Sequence, residues 1–479
     1  MPDRILFVTG KLAEPALRET VAALGPSAGF EPQVAVLGIS VAALMTPAWI
    51  ARRLEVPAGV DRVMLPGWCG GDLSIVERTA NVPVERGPKD LRDLPEHFGA
   101  TARDGSPLTP PEGYGAFDIE IIAEINHCPR LSGDEILALA RRYRADGADV
   151  IDVGCDPSGP WLEVGDVVRR LRDEGFRVSI DSFDRREVEL ATRAGAELVL
   201  SVNGSNVDAA RDWGAAVVAV PDDIATLGGL DHTIERLDSA GVRFRIDPVI
   251  EPIGFGFAAS LGRYLETRRR WPQAEIMMGI GNLTELTDVD SAGVNVMLVG
   301  FCQELAIRSV LTTEVINWSR SSVREIDLAR RLMFHAVKNR VLPKHIEPRL
   351  VMLRDARLHE HGPAALAELA RRITDPNFRI FAERGEIHVM NSQGHLHGSD
   401  PFEVFDQAFE QNAARIDPSH AFYLGYEMAK AATALALAKD YRQDQALDWG
   451  FLTRPEVSNK AQRSEASGQK SEPDNSGSQ

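Results

Sequence analysis

Short apolar runs alternate with helix-like patterns through the middle of the chain. Between residues 119 and 338, each of these strand-like runs precedes a stretch whose apolar residues recur at helical spacing. Eight such units in roughly 220 residues match the count of a (β/α)8 barrel, which typically has about 250. The runs are 119–126, 149–154, 176–181, 197–203, 215–222, 243–248, 275–282 and 310–317. The pattern predicts an α/β protein built on a (β/α)8 TIM barrel.

An Asp or Asn lies at or near the end of every predicted barrel strand. These residues are Asn126, Asp152, Asp181, Asn203, Asp222, Asp247, Asn282 and Asn317. Asx residues often cap helices or form turns, and for any single member this explanation is as good as a ligand contact. The carboxyl ends of barrel strands, however, form the face where ligands bind. The complete set therefore favours a polar cavity at the barrel mouth.

The regions that flank the barrel follow other patterns. Strand-like runs and helical spacing over 13–24 and 40–54 predict a small parallel sheet with helices. A segment rich in Pro, Gly, Ser and Thr then precedes the barrel, and the last residues have almost no large apolar side chains. We expect an N-terminal βα domain at 1–99, a linker at 100–118, the barrel at 119–338, a C-terminal α+β extension at 345–452 and a disordered tail at 453–479.

The net charge, the cysteine pattern and the apolar runs indicate which kinds of partner the protein does not bind. A formal net charge of −17 argues against nucleic acid as a partner, because phosphate backbones bind basic surfaces. The 4 cysteines form no CxxC motif, which suits a reducing cytoplasm. The start reads as a strand rather than a signal peptide, and no apolar run approaches membrane-spanning length. We expect a cytoplasmic protein that binds neither nucleic acid nor membrane.

The predicted ring of polar residues indicates the chemistry of its ligand. Carboxylates and amides are mixed, without the clustered Cys or His that softer metals prefer, so a histidine-rich metal centre on the barrel is disfavoured. A carboxylate can accept two parallel N–H bonds from a 2-amino-4-oxo pyrimidine edge, and an amide can bond ring nitrogens and carbonyls. The ring therefore suits a flat, nitrogen-rich heterocycle.

Four strand-end segments of the barrel resemble one enzyme family. They are 149-DVIDVGCDPSGP-160, 176-FRVSIDSFD-184, 198-LVLSVNG-204 and 246-IDPVIEPIGFGF-257. In this order they resemble the dihydropteroate synthases, whose fold is a pterin-binding barrel. The resemblance implies that Asp181, Asn203 and Asp247 contact the pterin. It also implies that Asn126 holds Mg²⁺ and pyrophosphate at the end of the first strand.

The flanking regions extend the resemblance to a branch of that family. An N-terminal βα domain and a C-terminal extension look like the dihydropteroate synthase-related proteins of archaea and methylotrophic bacteria. These are associated with tetrahydromethanopterin, a folate analogue whose aryl amine carries a ribose phosphate. The implied function is a transferase that joins a 6-hydroxymethyl-dihydropterin diphosphate to an aryl amine, with release of pyrophosphate. Asp181 and Asp247 would then be catalytic, and a homodimer is an assembly that the sequence leaves open.

Two departures from the family pattern keep alternatives open. The seventh strand reads 279-GIGN-282 without the family's lysine, which leaves Asn282 as the pterin contact. The eighth reads 314-EVINWSR-320 without the Arg-His pair, so Arg320 joins Asn126 and Asp152 as candidates for the pyrophosphate or second-substrate end. A non-catalytic pterin-binding or assembly protein is one alternative. A pterin-dependent methyltransferase is another, although the chain has no DxHxxG corrinoid motif.

Two motifs outside the barrel remain open. The stretch 388-HVMNSQGHLH-397 has histidines spaced for a zinc site, or for a strand pair that exposes them around an SQG turn. The latter is favoured, because no cysteine or suitable fourth ligand stands nearby in the sequence. The loop 66-PGWCGGD-72 could hold a phosphate, but it lacks the lysine and spacing of a P-loop, which favours a simple turn.

Overall fold

The chain divides into two compact units, residues 1–347 and 348–479. The computed structural model describes residues 2–89, 91–99, 110–157, 159–356, 358–413 and 416–456. Residues 100–109 of the predicted linker and 457–479 of the predicted tail therefore lie outside the described residues. No helix among the described residues is long and apolar enough to cross a membrane.

The first unit begins with a parallel four-stranded sheet in the order β2-β1-β3-β4. Its strands are β1 (Asp3–Thr9), β2 (Phe30–Val36), β3 (Arg62–Leu65) and β4 (Val84–Arg86), and its helices are α1 (Glu14–Ala28), α2 (Pro47–Ala51), α3 (Ser74–Ala80) and α4 (Leu94–His97). Ile5 and Phe7 belong to one hydrophobic cluster and Leu6 and Val8 to another. Both faces of the sheet are thus buried, which explains the unbroken apolar run of β1.

The helix expected over 40–54 is shorter than the sequence pattern indicates. A 3₁₀ turn covers Ala42–Leu44, and α2 begins only at Pro47. Thr46 is the N-cap, because its side chain accepts a hydrogen bond from the Trp49 amide. Proline has no amide hydrogen to donate and disfavours a helical residue before it, so the helix begins at this point instead of running through.

Eight parallel strands then close into a barrel, as the sequence predicts. They are β5 (Glu120–Ile125), β6 (Val150–Gly154), β7 (Val178–Asp181), β8 (Leu198–Val202), β9 (Ala216–Ala219), β10 (Phe244–Ile246), β11 (Glu275–Gly279) and β12 (Ser309–Thr312). The helices are α5 (Gly133–Asp146), α6 (Val164–Asp173), α7 (Arg185–Arg193), α8 (Ala210–Trp213), α9 (Leu230–Ser239), α10 (Phe257–Arg270), α11 (Gly281–Thr284), α12 (Ser291–Glu304) and α13 (Ser322–Asn339). Further 3₁₀ turns are Leu91–Asp93, Cys128–Arg130, Val207–Ala209 and Asn317–Ser319.

The second unit is the expected α+β extension. It contains the antiparallel strands β13 (Arg379–Glu383), β14 (Glu386–Asn391) and β15 (Gly394–Gly398) and the helices α14 (Pro363–Arg372), α15 (Pro401–Asn412) and α16 (Pro418–Leu437). Ile387 and Val389 of β14 share a buried cluster with Leu424 and Met428 of α16. One face of the sheet is therefore packed in the core of this unit.

One buried arginine connects the last barrel helix to the first two barrel strands. Arg330 of α13 is 1% exposed. Its guanidinium donates to the carboxylates of Asp149 and Asp327 and to the carbonyls of Ile119 and Gly147. These bonds hold the starts of β5 and β6 against α13, because each of the two strands begins one residue after Ile119 or Asp149. The arrangement satisfies a buried charge that would otherwise be very unfavourable.

Replacing this arginine should destabilise the first unit strongly. Arg330→Met removes the buried cation that bonds Asp149 and Asp327, and Asp327 keeps only Arg324 and Arg331 among the described residues, so we expect a loss of about 3 kcal/mol in the free energy of unfolding. Urea denaturation followed by circular dichroism measures the change. The control Arg193→Met removes an exposed i,i+4 pair with Glu189 and should cost about 0.5 kcal/mol or less. Equal losses in the two variants would contradict the role given to Arg330.

Candidate functional site

Three carboxyl groups converge inside the barrel at its C-terminal mouth. The lower barrel interior is apolar and includes Ile122 and Val150. Because side chains alternate along a strand, Glu124 and Asp152, two residues further on, also face inward, and the two residues are paired across β5 and β6. Asp181 ends the neighbouring strand β7. The apolar interior therefore gives way to an acidic layer contributed by three adjacent strands, here called the acid cluster (Glu124, Asp152 and Asp181).

Burial changes the charge of this acid cluster. Burial, together with the nearby charges of Asp181 and Glu285, raises the pKa of Glu124 to about 8. Burial followed by the charges of Glu124 and Asp181 also raises the pKa of Asp152, while a hydrogen bond from Ser179 opposes this. The pKa of Asp181 is likewise raised, chiefly by burial. These shifts favour a shared proton on the acid cluster at neutral pH.

One oxygen of the acid cluster is left for a ligand. Asp152 is fully buried, and its Oδ1 accepts a hydrogen bond from the Ser179 hydroxyl. Its Oδ2 is buried with no hydrogen-bond partner among the described residues. Leaving a buried carboxyl oxygen unpaired costs on the order of 1–3 kcal/mol, so this atom favours an additional donor. The sequence placed Asp152 at or near the strand end. In the structure it lies in the middle of β6, two residues before the strand ends at Gly154.

Gly154 makes room for the Glu124 carboxylate. A Cβ atom at this position would lie 2.5 Å from Glu124 Oε1 and 3.0 Å from the Ile125 carbonyl oxygen. A side chain at residue 154 would therefore displace the Glu124 carboxylate from this position. The glycine in the DVIDVG segment therefore allows the acid cluster to form.

Asp247 and Asn282 approach each other from the opposite part of the barrel rim. The strand before Asp247 is β10, which is four places from β6 around the closed sheet. A Cβ at Gly279 would lie 3.8 Å from Asp247 Oδ2 and 3.6 Å from Asn282 Nδ2, so both side chains border this glycine. The Asn282 amide also donates to the Ile250 carbonyl at 3.3 Å. The two predicted pterin contacts are thus brought together.

Asp247 is held by a strained turn. Its Oδ1 accepts hydrogen bonds from the Tyr264 hydroxyl at 2.6 Å and from the Val249 amide at 2.8 Å. Burial raises the pKa of Asp247 to about 6, although these hydrogen bonds lower it. Val249 has φ of 62°, a left-handed conformation that is unfavourable for a β-branched residue. Strain of this kind is concentrated at functional sites.

Asn203 lies in the turn after β8 and uses part of its side chain there. Its Oδ1 accepts hydrogen bonds from the Ser205 amide at 3.0 Å and the Ser205 hydroxyl at 2.7 Å. Asp222, the next strand-end acid of the ring, accepts from the Gly204 amide. The turn-forming explanation therefore holds for the oxygen of Asn203 and for Asp222. The Asn203 Nδ2 has no partner among the described residues and remains available as a donor.

A bulge directs Ser201 toward the acid cluster. The pairing of β8 with β9 shifts register between Val199 and Val202, and Ser201 has φ of 64°. The Ser201 hydroxyl donates to Asp181 Oδ1 at 3.2 Å. Bulges of this type turn a side chain toward a site at the end of a strand. The β8 strand end is thereby joined to Asp181.

The end of β5 carries Asn126 and two basic residues that sequence reasoning missed. Asn126 Nδ2 donates to Glu124 Oε1 at 3.1 Å. His127 and Arg130 both contact Asp156, at 2.5 Å and 2.7 Å. The Arg130 side chain is 65% exposed despite this ion pair, so it can also contact an anion at the rim. Its position four residues after Asn126 is the signal that could have identified it.

The remaining predicted residue, Arg320, is not brought into contact with the others. Its side chain is exposed and donates to Asn317 Oδ1 at a long 3.4 Å. No ion pair of Arg320 is present in the described part of the chain. Glu124, by contrast, was not predicted as a site residue. It lies two residues after Ile122 and therefore shares the inward face of the first barrel strand. A search for strand-end residues alone overlooks it.

Comparison with known proteins matches three separate segments of the chain. Residues 126–227 match the family described as pterin binding enzyme. Residues 3–89 match a family of unknown function, DUF6513, and residues 369–444 match a family described as PterinBD-DUF4346. An uncharacterized protein from Methanocaldococcus jannaschii is 27% identical to this chain, over 92% of this chain and 98% of its own length.

Solved structures of dihydropteroate synthases are similar to part of this chain. The enzyme from Yersinia pestis is 19% identical and covers 46% of this chain and 95% of its own, with a TM-score of 0.38. The enzyme from Burkholderia cenocepacia, in complex with 7,8-dihydropteroate, is 21% identical and covers 46% and 92%, with a TM-score of 0.37. The match over 126–227 lies within the closed eight-stranded barrel, and for this part of the chain it confirms the predicted resemblance to pterin-binding barrels.

Proposed function

We propose that the barrel binds a dihydropterin diphosphate and transfers its pterin-methyl group to an aryl amine, with release of pyrophosphate. The observation that supports this most directly is the acid cluster, in which one Asp152 oxygen has no hydrogen-bond partner among the described residues. A pterin offers an exocyclic amine and ring N–H groups along one edge. Carboxyl oxygens accept hydrogen bonds from donors of this kind.

In this proposal each residue of the acid cluster and the rim contacts a different part of the pterin. Asp181 and the Asp152 oxygen accept hydrogen bonds from the amino-pyrimidine edge, and Asn203 donates through Nδ2. A protonated Glu124 donates to an acceptor atom of the ring, since burial raises its pKa to about 8. Asp247 and Asn282 contact the heterocycle from the other side. Asp152, which the resemblance grouped with the pyrophosphate end, is assigned to the pterin because it lies deep in the barrel.

The proposed reaction breaks one bond and forms one bond at the pterin methylene carbon. The C–O bond to the diphosphate breaks, and the oxygen leaves with the electron pair. The amine nitrogen supplies the pair for the new C–N bond and loses a proton to solvent. Positive charge develops on the methylene carbon and the pterin ring during the transfer, and the carboxyl oxygens of Asp181 and Asp247 stabilise it electrostatically.

The diphosphate end of the site would be at the end of β5. Asn126 donates to Glu124 through Nδ2, so its amide oxygen is the hard oxygen ligand at this end, and an oxygen ligand fits Mg²⁺. A magnesium ion would neutralise charge on the departing diphosphate. Arg130 and His127 would contact the same anion from the rim. Arg320 remains a candidate for the phosphate of a ribosylated aryl amine, the substrate expected for a role in tetrahydromethanopterin biosynthesis.

A second candidate is a pterin-binding protein without transferase activity. The seventh strand end has Asn282 where the resembled family has a lysine, and Arg320 is bound only to Asn317 among the described residues. Loss of these cations weakens the case for diphosphate chemistry while the acid cluster remains. The third candidate, a pterin-dependent methyltransferase, uses the same pterin contacts and differs in the group transferred.

Removing either strand-end carboxylate should weaken pterin binding. Loss of one charged hydrogen bond is worth about 1.5–3 kcal/mol, so we expect Asp181→Asn and Asp247→Asn each to raise Kd about 10- to 150-fold. Isothermal titration calorimetry with a dihydropterin measures this, and thermal melting checks that each variant is folded. The exposed Asp212→Asn is the matched control and should leave Kd unchanged. Unchanged affinity in both rim variants would refute the assignment.

Pyrophosphate release separates the three candidate functions. The full chain is incubated with the dihydropterin diphosphate, Mg²⁺ and either p-aminobenzoate or the ribosylated aryl amine phosphate. We expect release that depends on the ribosylated amine and is reduced at least 100-fold in Asp181→Asn, because that change removes transition-state stabilisation. Tight pterin binding with no release for either amine would instead support the binding protein. Methyl transfer from a methylated pterin would support the methyltransferase.

The acid cluster should make the free protein less stable as pH rises. The folded-state pKa of Glu124, about 8, exceeds its ordinary 4.5, so the folded chain binds a proton that the unfolded chain loses in this window. The free energy of unfolding should therefore fall between about pH 5 and 8, by on the order of a few kcal/mol.

Glu124→Gln provides the test of this pH dependence. The variant should show a flatter profile in urea denaturation between pH 5 and pH 8, because the amide does not titrate. Part of the pH dependence should remain in this variant, because burial also raises the pKa of Asp247, to about 6. The exposed Glu235→Gln on α9 is the control and should retain the full wild-type slope. A Glu124→Gln profile as steep as that of the wild type would show that Glu124 is ionised in the folded chain.

A further inference from the structure

The second unit carries a cluster of three histidines on one hairpin. His388 lies in β14, and His395 and His397 lie in β15. His388 is paired directly with His397 across the two strands, and His395 is paired with Met390. Residues two apart on a strand share a face, so all three imidazoles project from the same side of the sheet. The opposite side carries Ile387 and Val389, which pack in the core of this unit.

The three rings form a nearly equilateral triangle. Their centroids are 5.2 Å apart for His388 and His395, 5.5 Å for His388 and His397, and 5.4 Å for His395 and His397. Three imidazoles on one tetrahedral zinc ion, with Zn–N of about 2.0–2.1 Å, have centroids about 5 Å apart. The hairpin therefore spaces its histidines as a shared metal ion would.

Individual ligand atoms agree with this spacing. His388 Nδ1 and His395 Nε2 are 3.1 Å apart, close to the roughly 3.3 Å between two nitrogens on one tetrahedral zinc. Glu386 adds a carboxylate, since its Oε2 is 3.1 Å from His397 Nδ1. One ligand atom each from Glu386, His388 and His397 lies within 4.8 Å of the others. The sequence pattern offered no fourth ligand, whereas the fold brings Glu386 beside His397, and His395 joins the group through His388.

We propose that Glu386, His388, His395 and His397 form a binding site for one divalent transition-metal ion of the zinc class. Imidazole donors favour zinc and similar ions over Mg²⁺ or Ca²⁺, which prefer oxygen ligands. His388 is buried, lies 3.1 Å from His395 and is paired with His397 across the strands, so it is the central ligand. The His397 side chain is 53% exposed, which gives the ion a path from solvent. The ion would join β14 to β15 across the hairpin.

The site is tested with the full chain, purified without a histidine tag and freed of metal by a chelator. Zn²⁺ is titrated in competition with a chromophoric chelator, and Co²⁺ binding is followed by its visible d–d absorption, which reports tetrahedral geometry. We expect one ion per chain. His388→Ala and His397→Ala should each weaken Zn²⁺ binding at least 100-fold, and His395→Ala by a smaller factor, since it contacts only His388 among the nitrogen ligands.

Controls distinguish a metal site from a group of surface histidines. His232→Ala, an exposed histidine on the barrel helix α9, should bind Zn²⁺ as the wild type does. His397 is exposed, so its variant keeps the fold, and circular dichroism verifies this for every variant. Absence of stoichiometric Zn²⁺ binding in the wild type would overturn the proposal, as would unchanged affinity in both His388→Ala and His397→Ala. An octahedral Co²⁺ spectrum would overturn the tetrahedral ligand set.

Discussion

Closure of the barrel by the pairing of β12 with β5 is the constraint on which the candidate site depends. The two strands are paired from Ser309 with Glu120 to Thr312 with Ala123, although they lie far apart in the sequence. Glu124 follows directly, so its inward direction is set by this register. Arg330 holds the neighbouring junction of β5 and β6 through Asp149, whose carboxylate also accepts a hydrogen bond from the Ile121 amide. A shift of one residue here would turn Glu124 outward and remove it from the acid cluster.

Once the barrel is closed, its mouth must accommodate three carboxyl groups on adjacent strands. Mutual repulsion and burial would make full ionisation unfavourable, and protonation of Glu124 relieves part of it. Hydrogen bonds from Ser179 and Ser201 stabilise the two aspartates, but one oxygen of Asp152 stays unpaired among the described residues. A ligand rich in N–H groups would supply the hydrogen bond that this buried oxygen lacks, and that hydrogen bond would contribute to the affinity for the ligand. The same property makes the stability of the free chain dependent on pH.

The sequence predicted the barrel because each strand leaves a local signal, an apolar run followed by helical spacing. It predicted the strand-end residues less well, since a position at the end of a strand does not reveal the direction of its side chain. Asp181 and Asp247 do face the interior of the barrel, whereas the oxygen of Asn203 is used in its own turn. Glu124 was overlooked because its inward direction depends on strand register across the closed barrel. Helix α2 was overestimated because the start of a helix depends on local capping at Thr46 and Pro47.

The hairpin of β14 and β15 is a second case in which the sequence does not reveal the direction of the side chains. The spacing of His388, His395 and His397 is compatible with a metal site only if both strands present these positions on one face. That condition depends on the pairing of His388 with His397, which follows from a turn at residues 392 and 393. A turn longer by one residue would move His395 and His397 to the side that packs in the core. The turn length is therefore the structural feature that converts three scattered histidines into one possible coordination shell, and it is visible only once the strands are paired.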